Sequence, residues 1–395
     1  MNTYTRRQFL GHSLAAAAGA ALLPYAGTVT AADAQEGILE VPAKGYPLVE
    51  AAGTYREIGA KLAAAMKKRI LDHLHYSMQY KNSVEYLEGD GRKTVEKMLK
   101  QARKAFPQFI EEIEGMAFAL DIPFERLFAF QCRSEISVLR DPPGCSTIAL
   151  CRDGKAILAH NEDGSDLNIG RMFLARVTPP SGVTFLTFVY PGLMPGNGPG
   201  FNSAGVVQTT NYIQPLKTTD GIPRYFIGRA IFEAASLDEA LDLVTMTPRA
   251  FSYHHNLMSL PEGRILSVEA VAYPEHKHSI KEIEGCYVHT NHFIHPGMTG
   301  EKMDGPQPFD IPYESSTTRM RVLSAAIEER GEPGDAGEML ELLSLHEGRP
   351  YSPCRHPQGD VHGVTLGTAV FTAPDMAMTL FHGNPCRGFH KKHKL

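Results

Sequence analysis

Apolar and charged residues in the first third of the chain recur at a spacing near 3.6, which predicts helices over Tyr55–Leu74 and Val95–Leu120. Pro107 and Pro123 punctuate this helical region, which runs to about Leu127. The tetrapeptide Asp141-Pro142-Pro143-Gly144 then stops any helix and makes a stiff turn. Beyond it the pattern shortens to strand-like runs over Ser146–Leu150, Ala156–His160, Met172–Val177, Thr184–Tyr190 and Gly205–Thr210. Two helices are predicted next, Arg224–Ala235 and Ser236–Thr245, the second opened by the capping-box pattern Ser236-Leu237-Asp238-Glu239. Strands resume at Asn256–Leu260, Ile265–Ala270 and Cys286–Asn291. Helices Ser316–Glu329 and Ala336–Leu345 follow, and a hairpin of Thr365–Thr372 with Ala377–His382 closes the pattern. Helices segregate from runs of short strands, so the expected class is a mostly antiparallel α+β fold rather than a βαβ series.

With 395 residues, 43% of them hydrophobic and 21% charged, the chain has the makings of a large packed core. A net charge of −5 supplies no footprint for nucleic acid, so no such partner is expected. The basic run Arg387 to Lys394 reads as a solvated tail. Away from the N-terminus no stretch of 18 apolar residues occurs, so no membrane span is expected in the mature chain. The N-terminus itself carries Thr5-Arg6-Arg7-Gln8-Phe9-Leu10, an Ala/Leu-rich stretch from Leu14 to Leu23, and small residues at Ala32 and Ala34. This reads as a twin-arginine export signal over residues 1–34, cleaved after Ala34, and places the protein in the periplasm or outside the cell. The Gly-rich segment Pro191 to Gly200 holds three prolines and no Lys-Ser/Thr, so it lacks the amide cradle and cation of a phosphate loop. It reads instead as a tight connection near the active site.

Six cysteines in an exported chain permit disulfides, but their spacing is sparse and contains no CxxC pair. Cys145 stands out because it follows Gly144 where helical sequence gives way to strands. A buried structural thiol also fits that position. Glycine, however, permits backbone geometries that other residues resist, and a strained carbonyl beside a thiol is set up for an N-to-S acyl shift. Cleavage between Gly144 and Cys145 would leave a thiol and an α-amine on one residue. Such an amine titrates near about 7.7–8.0, below a thiol at about 8.5, and can take the thiol proton. The chain would then become a helical part, residues 35–144, and a strand-bearing part, residues 145–395, folding together as one domain. A competing cluster, His289, His292 and His295 with His254-His255, has zinc-ligand chemistry. Its period of three suits a helix face, whereas Val288 to Phe293 reads as the end of a strand. No metal and no cofactor are therefore expected.

Several segments follow one another in an order with meaning. They are Gly53-Thr54-Tyr55-Arg56-Glu57-Ile58-Gly59, Glu112 to Leu120, Gly144-Cys145-Ser146-Thr147, Asn161-Glu162-Asp163-Gly164 and Phe201-Asn202-Ser203-Ala204-Gly205-Val206. After them come Thr290-Asn291-His292-Phe293, Ser352-Pro353-Cys354-Arg355-His356 and Gly383-Asn384-Pro385-Cys386. In this order the chain resembles the acyl-CoA:6-aminopenicillanic acid acyltransferase-like (C45 peptidase) group of N-terminal nucleophile hydrolases. The resemblance implies an αββα four-layer sandwich, autocleaved into two fragments of one precursor. It also implies a small-molecule amide or acyl-donor substrate, whose acyl group passes through a thioester to water or an amine. Cys145 would be the nucleophile, Asp163 would fix it, and Asn291 would donate to the oxyanion. An arginine would pair with the carboxylate or steer the substrate. Arg355 is slightly preferred for this, although Arg319 sits in a context more like that of the related bile-salt hydrolases. His160 stands where those hydrolases carry an arginine, which argues against bile-salt and ceramide-type substrates. Other readings are a hydrolase of β-alanyl-type aminoacyl amides on the same machinery, an exported ligand-binding protein, and a zinc hydrolase.

Overall fold

The computed structural model describes residues 39–136, 144–214, 218, 220–272, 275–298 and 310–395, so the export signal and Asp141-Pro142-Pro143 lie outside the described residues. The chain begins with β1 (Leu48–Ala52), α1 (Tyr55–Tyr76), α2 (Met78–Glu88), α3 (Arg92–Ala105), α4 (Pro107–Leu120), α5 (Phe124–Gln131) and the one-turn α6 (Arg133–Ile136). Past Cys145 come β2 (Ser146–Arg152), β3 (Lys155–Ser165), β4 (Phe173–Thr178), β5 (Phe185–Val189), β6 (Gly200–Asn202) and β7 (Val206–Tyr212). Helices α7 (Arg224–Ile231) and α8 (Leu237–Thr245) precede β8 (Tyr253–Ser259), β9 (Arg264–Ala270), β10 (His278–Glu282) and β11 (Gly285–His289). The chain ends with α9 (Asp310–Arg330), α10 (Ala336–Leu343), β12 (Gly363–Thr372), β13 (Ala377–His382) and β14 (His390–Lys394).

The strands form two sheets, one ordered β1-β4-β5-β6-β7-β8-β9-β10 and the other β11-β2-β3-β12-β13-β14. Their inner faces share one core, in which Ala149, Leu158, Phe371 and Leu380 of the second sheet meet Leu174, Phe188, Phe201 and Met258 of the first. Side chains alternate along each strand, so Ile148, Leu150, Ile157 and Ala159 point the other way. There they pack on Leu323 of α9 and on Met339, Leu342 and Leu343 of α10. The N-terminal helices, with α7 and α8, supply the layer on the first sheet, where Phe128 meets Phe226 at 6.0 Å and Phe185 stacks on Phe232 at 5.2 Å. The result is the four-layer αββα sandwich. Among the described residues no helix is long and apolar enough to cross a membrane.

Helix α1 opens with a full capping box: Thr54 N–H donates to Glu57 Oε2 at 2.8 Å and Glu57 N–H to Thr54 Oγ1 at 3.3 Å. It crosses α4 backbone to backbone. A Cβ on Gly59 would lie 1.9 Å from the Glu112 carbonyl oxygen, and one on Gly115 would lie 2.0 Å from that of Arg56, so only glycine fits either place. The two parts on either side of Gly144 are joined by buried charge. Arg229 of α7 pairs with Glu112 of α4 at 3.1 Å and with Glu233 at 2.8 Å, sandwiched between Phe109 and Phe185.

Several features depart from the sequence pattern, among them the short strands β6 and β10, which it does not predict. Strand β3 continues past His160 to Ser165, because β2 pairs with it as far as Asn161 and β12 carries it on. Residues 387–394 are not a loose tail: His390–Lys394 pairs antiparallel with β13, and its lysines stay solvated because the strand is a sheet edge. Strand β1 pairs parallel with β4, placing a strand from the helical part in the larger sheet.

Candidate active site

Cys145 lies immediately before β2, 2% exposed, where the second strand of the smaller sheet begins. Its backbone N–H donates to Asn291 Oδ1 at 2.8 Å. Its carbonyl oxygen accepts from Arg319 Nη1 at 2.5 Å, and the same nitrogen donates to Ser146 Oγ at 3.0 Å. Arg319 Nη2 donates to Asn291 Oδ1 at 2.7 Å, so this one amide oxygen joins the cysteine backbone to the guanidinium. Two donors aimed at one atom fix the amide orientation. The Asn291 nitrogen accordingly donates to the Tyr212 carbonyl at 2.8 Å, and its backbone N–H to Ser316 Oγ at 2.7 Å.

Gly144 has no side chain for a physical reason. A Cβ there would lie 2.8 Å from Arg355 Nη1 and 2.9 Å from Arg319 Nη2, so both guanidiniums press on the backbone of the junction. Arg355 reaches this spot because Gly363 clears its path; a Cβ on Gly363 would sit 2.0 Å from Arg355 Nη2. The Arg355 backbone is pinned by Thr365 Oγ1 at 3.0 Å and by Asn384, whose amide donates to the Arg355 carbonyl at 2.6 Å. Both arginines are fully buried, and burial pulls Arg319 down to about 10.

Asp163 is carried to the same place by the extended β3, where it pairs in register with Thr365 of β12. Thr365 Oγ1 donates to Asp163 Oδ1 at 2.8 Å, and Oδ2 is buried without a hydrogen-bond partner. Burial raises the Asp163 carboxyl to about 7, against the opposing pull of Arg355 and Arg319. Burial also pushes the Cys145 thiol far up, reinforced by Glu162 and Asp163 and countered by the Asp163 backbone N–H and Arg319. The thiol of the intact chain is therefore protonated at neutral pH.

The residue types expected from the sequence, Cys145, Asp163, Asn291, Arg319 and Arg355, thus come together at one junction. Both arginines are present, and it is Arg319 that bonds the Cys145 backbone directly. Sequence reasoning expected the Gly-rich connection near the site but missed the side chains that form the layer behind these residues. The ligand atoms of His160 and Glu162 lie within 4.8 Å of the Cys145 sulfur. Glu162 accepts from Tyr190 Oη at 2.5 Å and from Asn197 at 3.3 Å, and faces His160 Nε2 at 3.3 Å. Asn197 belongs to the Gly-rich connection, which is buried throughout against the site. His289, His292 and His295 turn to different partners: Glu269 at 3.0 Å, Ser316 at 2.7 Å and Ser267 at 2.9 Å. They do not converge on one point.

Residues 151–387 match the acyl-coenzyme A:6-aminopenicillanic acid acyl-transferase family. The chain is similar to the beta-alanyl-dopamine/carcinine hydrolase of Drosophila melanogaster, 24% identical over 372 residues that cover 86% of this chain and 93% of the relative. Among solved structures, the N-acylethanolamine-hydrolyzing acid amidase ortholog of Caenorhabditis elegans aligns with a TM-score of 0.39 and 16% identity, covering 57% of this chain and 92% of that one. Penicillin V acylase from Agrobacterium tumefaciens aligns with a TM-score of 0.36 and 11% identity, covering 60% and 82%. With its match over more than half of its length, the chain belongs to the acyl-coenzyme A:6-aminopenicillanic acid acyl-transferase family and is an enzyme of the amide hydrolase/acyltransferase class.

Proposed function

We propose that the chain cuts itself between Gly144 and Cys145 and then cleaves small-molecule amides through a thioester on the freed Cys145. The observation that carries this reading is the junction itself, where a buried thiol, an orphaned carboxylate oxygen and two guanidiniums surround one Gly-Cys peptide. In processing, the Cys145 sulfur bonds to the Gly144 carbonyl carbon and the C–N bond breaks. The nitrogen takes up the proton that the thiol loses and becomes an amine. Water then splits the thioester into a Gly144 carboxylate and a free Cys145 thiol. Positive charge from Arg319 and Arg355 stands against Gly144, the residue whose carbonyl gains negative charge. In turnover the α-amine takes the thiol proton, the sulfur attacks the substrate carbonyl, and the leaving amine departs with that proton. Water or a second amine releases the acyl group. Asn291 Oδ1 holds the Cys145 nitrogen, and only one of the two Asn291 amide hydrogens is used by Tyr212, which leaves the other for the oxyanion.

Similarity to a β-alanyl amide hydrolase over 86% of the chain favours small aminoacyl amides as substrates. Export through the twin-arginine signal, with cleavage after Ala34, belongs to the same reading. In the expected result, purified protein shows two fragments, the larger beginning Cys145-Ser146-Thr147, and Cys145→Ala stays whole and inactive on a panel of β-alanyl and simple acyl amides. An uncut chain whose Cys145→Ala variant keeps amidase activity would overturn the proposal.

A further inference from the structure

Away from Cys145, three separate segments bring His346, Cys354, His356 and Cys386 together, with all four ligand atoms within 4.8 Å of one another. His346 follows α10, Cys354 and His356 flank Arg355, and Cys386 lies in a short 3-10 turn after β13. Cys354 is buried, the two histidines are partly so, and Cys386 reaches the surface. His356 Nε2 lies 3.2 Å from His346 Nε2, 3.6 Å from Cys354 Sγ and 3.5 Å from Cys386 Sγ. A ring nitrogen has either one hydrogen or one lone pair, so hydrogen bonding satisfies one of these three contacts and leaves two unmatched.

We propose that these four residues form a tetrahedral metal site of Cys2His2 type, best suited to zinc. Metal–nitrogen bonds of about 2.05 Å and metal–sulfur bonds of about 2.3 Å at tetrahedral angles put two nitrogens about 3.3 Å apart and a nitrogen and a sulfur about 3.5 Å apart. The observed 3.2, 3.6 and 3.5 Å match that set. One ion satisfies all four donors at once, and two thiolates cancel its charge next to Arg349 and Arg387, which lie near His356. Asn384 Nδ2 donates to Cys354 Sγ at 3.4 Å, the kind of outer bond that steadies a thiolate ligand. With four protein ligands the site is closed, so its role is structural. It staples the loop that carries Arg355 to the end of α10 and to the turn after β13. The site stands independently of the reaction assigned to Cys145.

The test measures zinc in the full-length protein by elemental analysis and records the spectrum after cobalt replacement. About one zinc per chain is expected, with sulfur-to-cobalt charge transfer and the strong visible bands of a tetrahedral ion. The exposed position of Cys386 lets Cys386→Ser keep the fold, and there the bound zinc falls about tenfold or more; Cys354→Ser does the same. Cys145→Ala keeps its zinc. Wild-type protein that takes up no metal on reconstitution, or that shows a Cys354–Cys386 disulfide in unreduced peptide maps, overturns the proposal. So does metal that survives Cys386→Ser with Cys354→Ser but leaves with Cys145→Ala, which would place it at Cys145, His160 and Glu162.

Discussion

Arg319 donates to the carbonyl oxygen of Cys145 at 2.5 Å, and through Asn291 Oδ1 it also reaches the nitrogen of the same residue. Both ends of the Cys145 backbone are thus held by one guanidinium on α9. A nucleophile fixed on both sides leaves only its sulfur to move. This clamp makes Arg319, rather than Arg355, the residue whose loss should be felt first at the junction. Arg319→Ala is expected to slow self-cleavage more than Arg355→Ala, as read from the fraction of intact chain in a time course. Equal or reversed effects would remove the clamp from the mechanism.

Asn291 gives a sharper number. If its spare amide hydrogen meets the oxyanion, Asn291→Ala lowers turnover of processed enzyme by about 10²–10³, the usual loss for one such donor. Asn291→Asp keeps the oxygen that holds Cys145 but loses the donor, and should fall nearly as far. A role limited to holding the Cys145 nitrogen through Oδ1 would instead leave Asn291→Asp clearly more active than Asn291→Ala. Comparing kcat of the two variants separates these outcomes.

Gly144→Ala tests the crowding at the scissile peptide. The added Cβ would stand 2.8 and 2.9 Å from two buried guanidinium nitrogens, so one arginine must shift. Intact chain should accumulate while the melting temperature stays within a few degrees of that of Cys145→Ala, since each 1 kcal/mol moves a domain of about 150–250 residues by about 2–4 °C and a larger one by less. Undiminished cleavage would show that the arginines do not need their present places.

How much of this was legible beforehand depends on distance along the chain. The closing hairpin, β12 and β13, was readable because Ala373-Pro374-Asp375-Met376 interrupts two apolar strand-like runs. Strand β14 was not, because its histidines and lysines carry no apolar period, and only pairing with β13 makes it a strand. At the site, Gly144-Cys145 stands out in the local sequence, whereas Asp163 is reached only through the family resemblance. Thr365, Tyr190 and Glu162 do not stand out, since their bonds to the site span separations such as 202 and 28 residues. The cysteine-histidine cluster escaped for the same reason. Its one local signal is the Cys354-Arg355-His356 triplet, in which the arginine stands out, while the histidine spacing that suggests zinc lies elsewhere, at His289, His292 and His295.

Asp163 imposes a pH dependence with a definite sign. Its carboxyl ordinarily titrates at 3.8 and is raised to about 7 in the fold. Between those values the folded chain holds a proton that the unfolded chain has released. Stability therefore falls as pH rises through this window, and the penalty is complete above about 7. Urea unfolding of Cys145→Ala, which avoids cleavage, should show that decline from pH 4 to 7. Adding Asp163→Asn should flatten it. Parallel curves for the two proteins would mean that Asp163 is ionised in the fold at ordinary pH, held by Arg319 and Arg355.

Glu112 and Arg229 tie the segment before Gly144 to the segment after it, with both side chains fully buried. Such a pair contributes little compared with a well-packed apolar substitute, but breaking it strands a charge and costs about 3–5 kcal/mol. Glu233 keeps part of the Arg229 charge matched at 2.8 Å, so Glu112→Gln should fall toward the lower end of that range in urea unfolding. If the chain is cut at Cys145, no peptide bond holds the two parts, and this pair becomes part of an interface between fragments. Processed wild-type protein should then elute as one species in size exclusion without denaturant, while processed Glu112→Gln should release its smaller fragment at lower urea. Replacing both partners, Glu112→Leu with Arg229→Met, in a Glu233→Gln background that leaves no carboxylate without its cation, should recover most of the loss. Failure of this combination to recover would locate the cost in packing between Phe109 and Phe185, not in the ion pair.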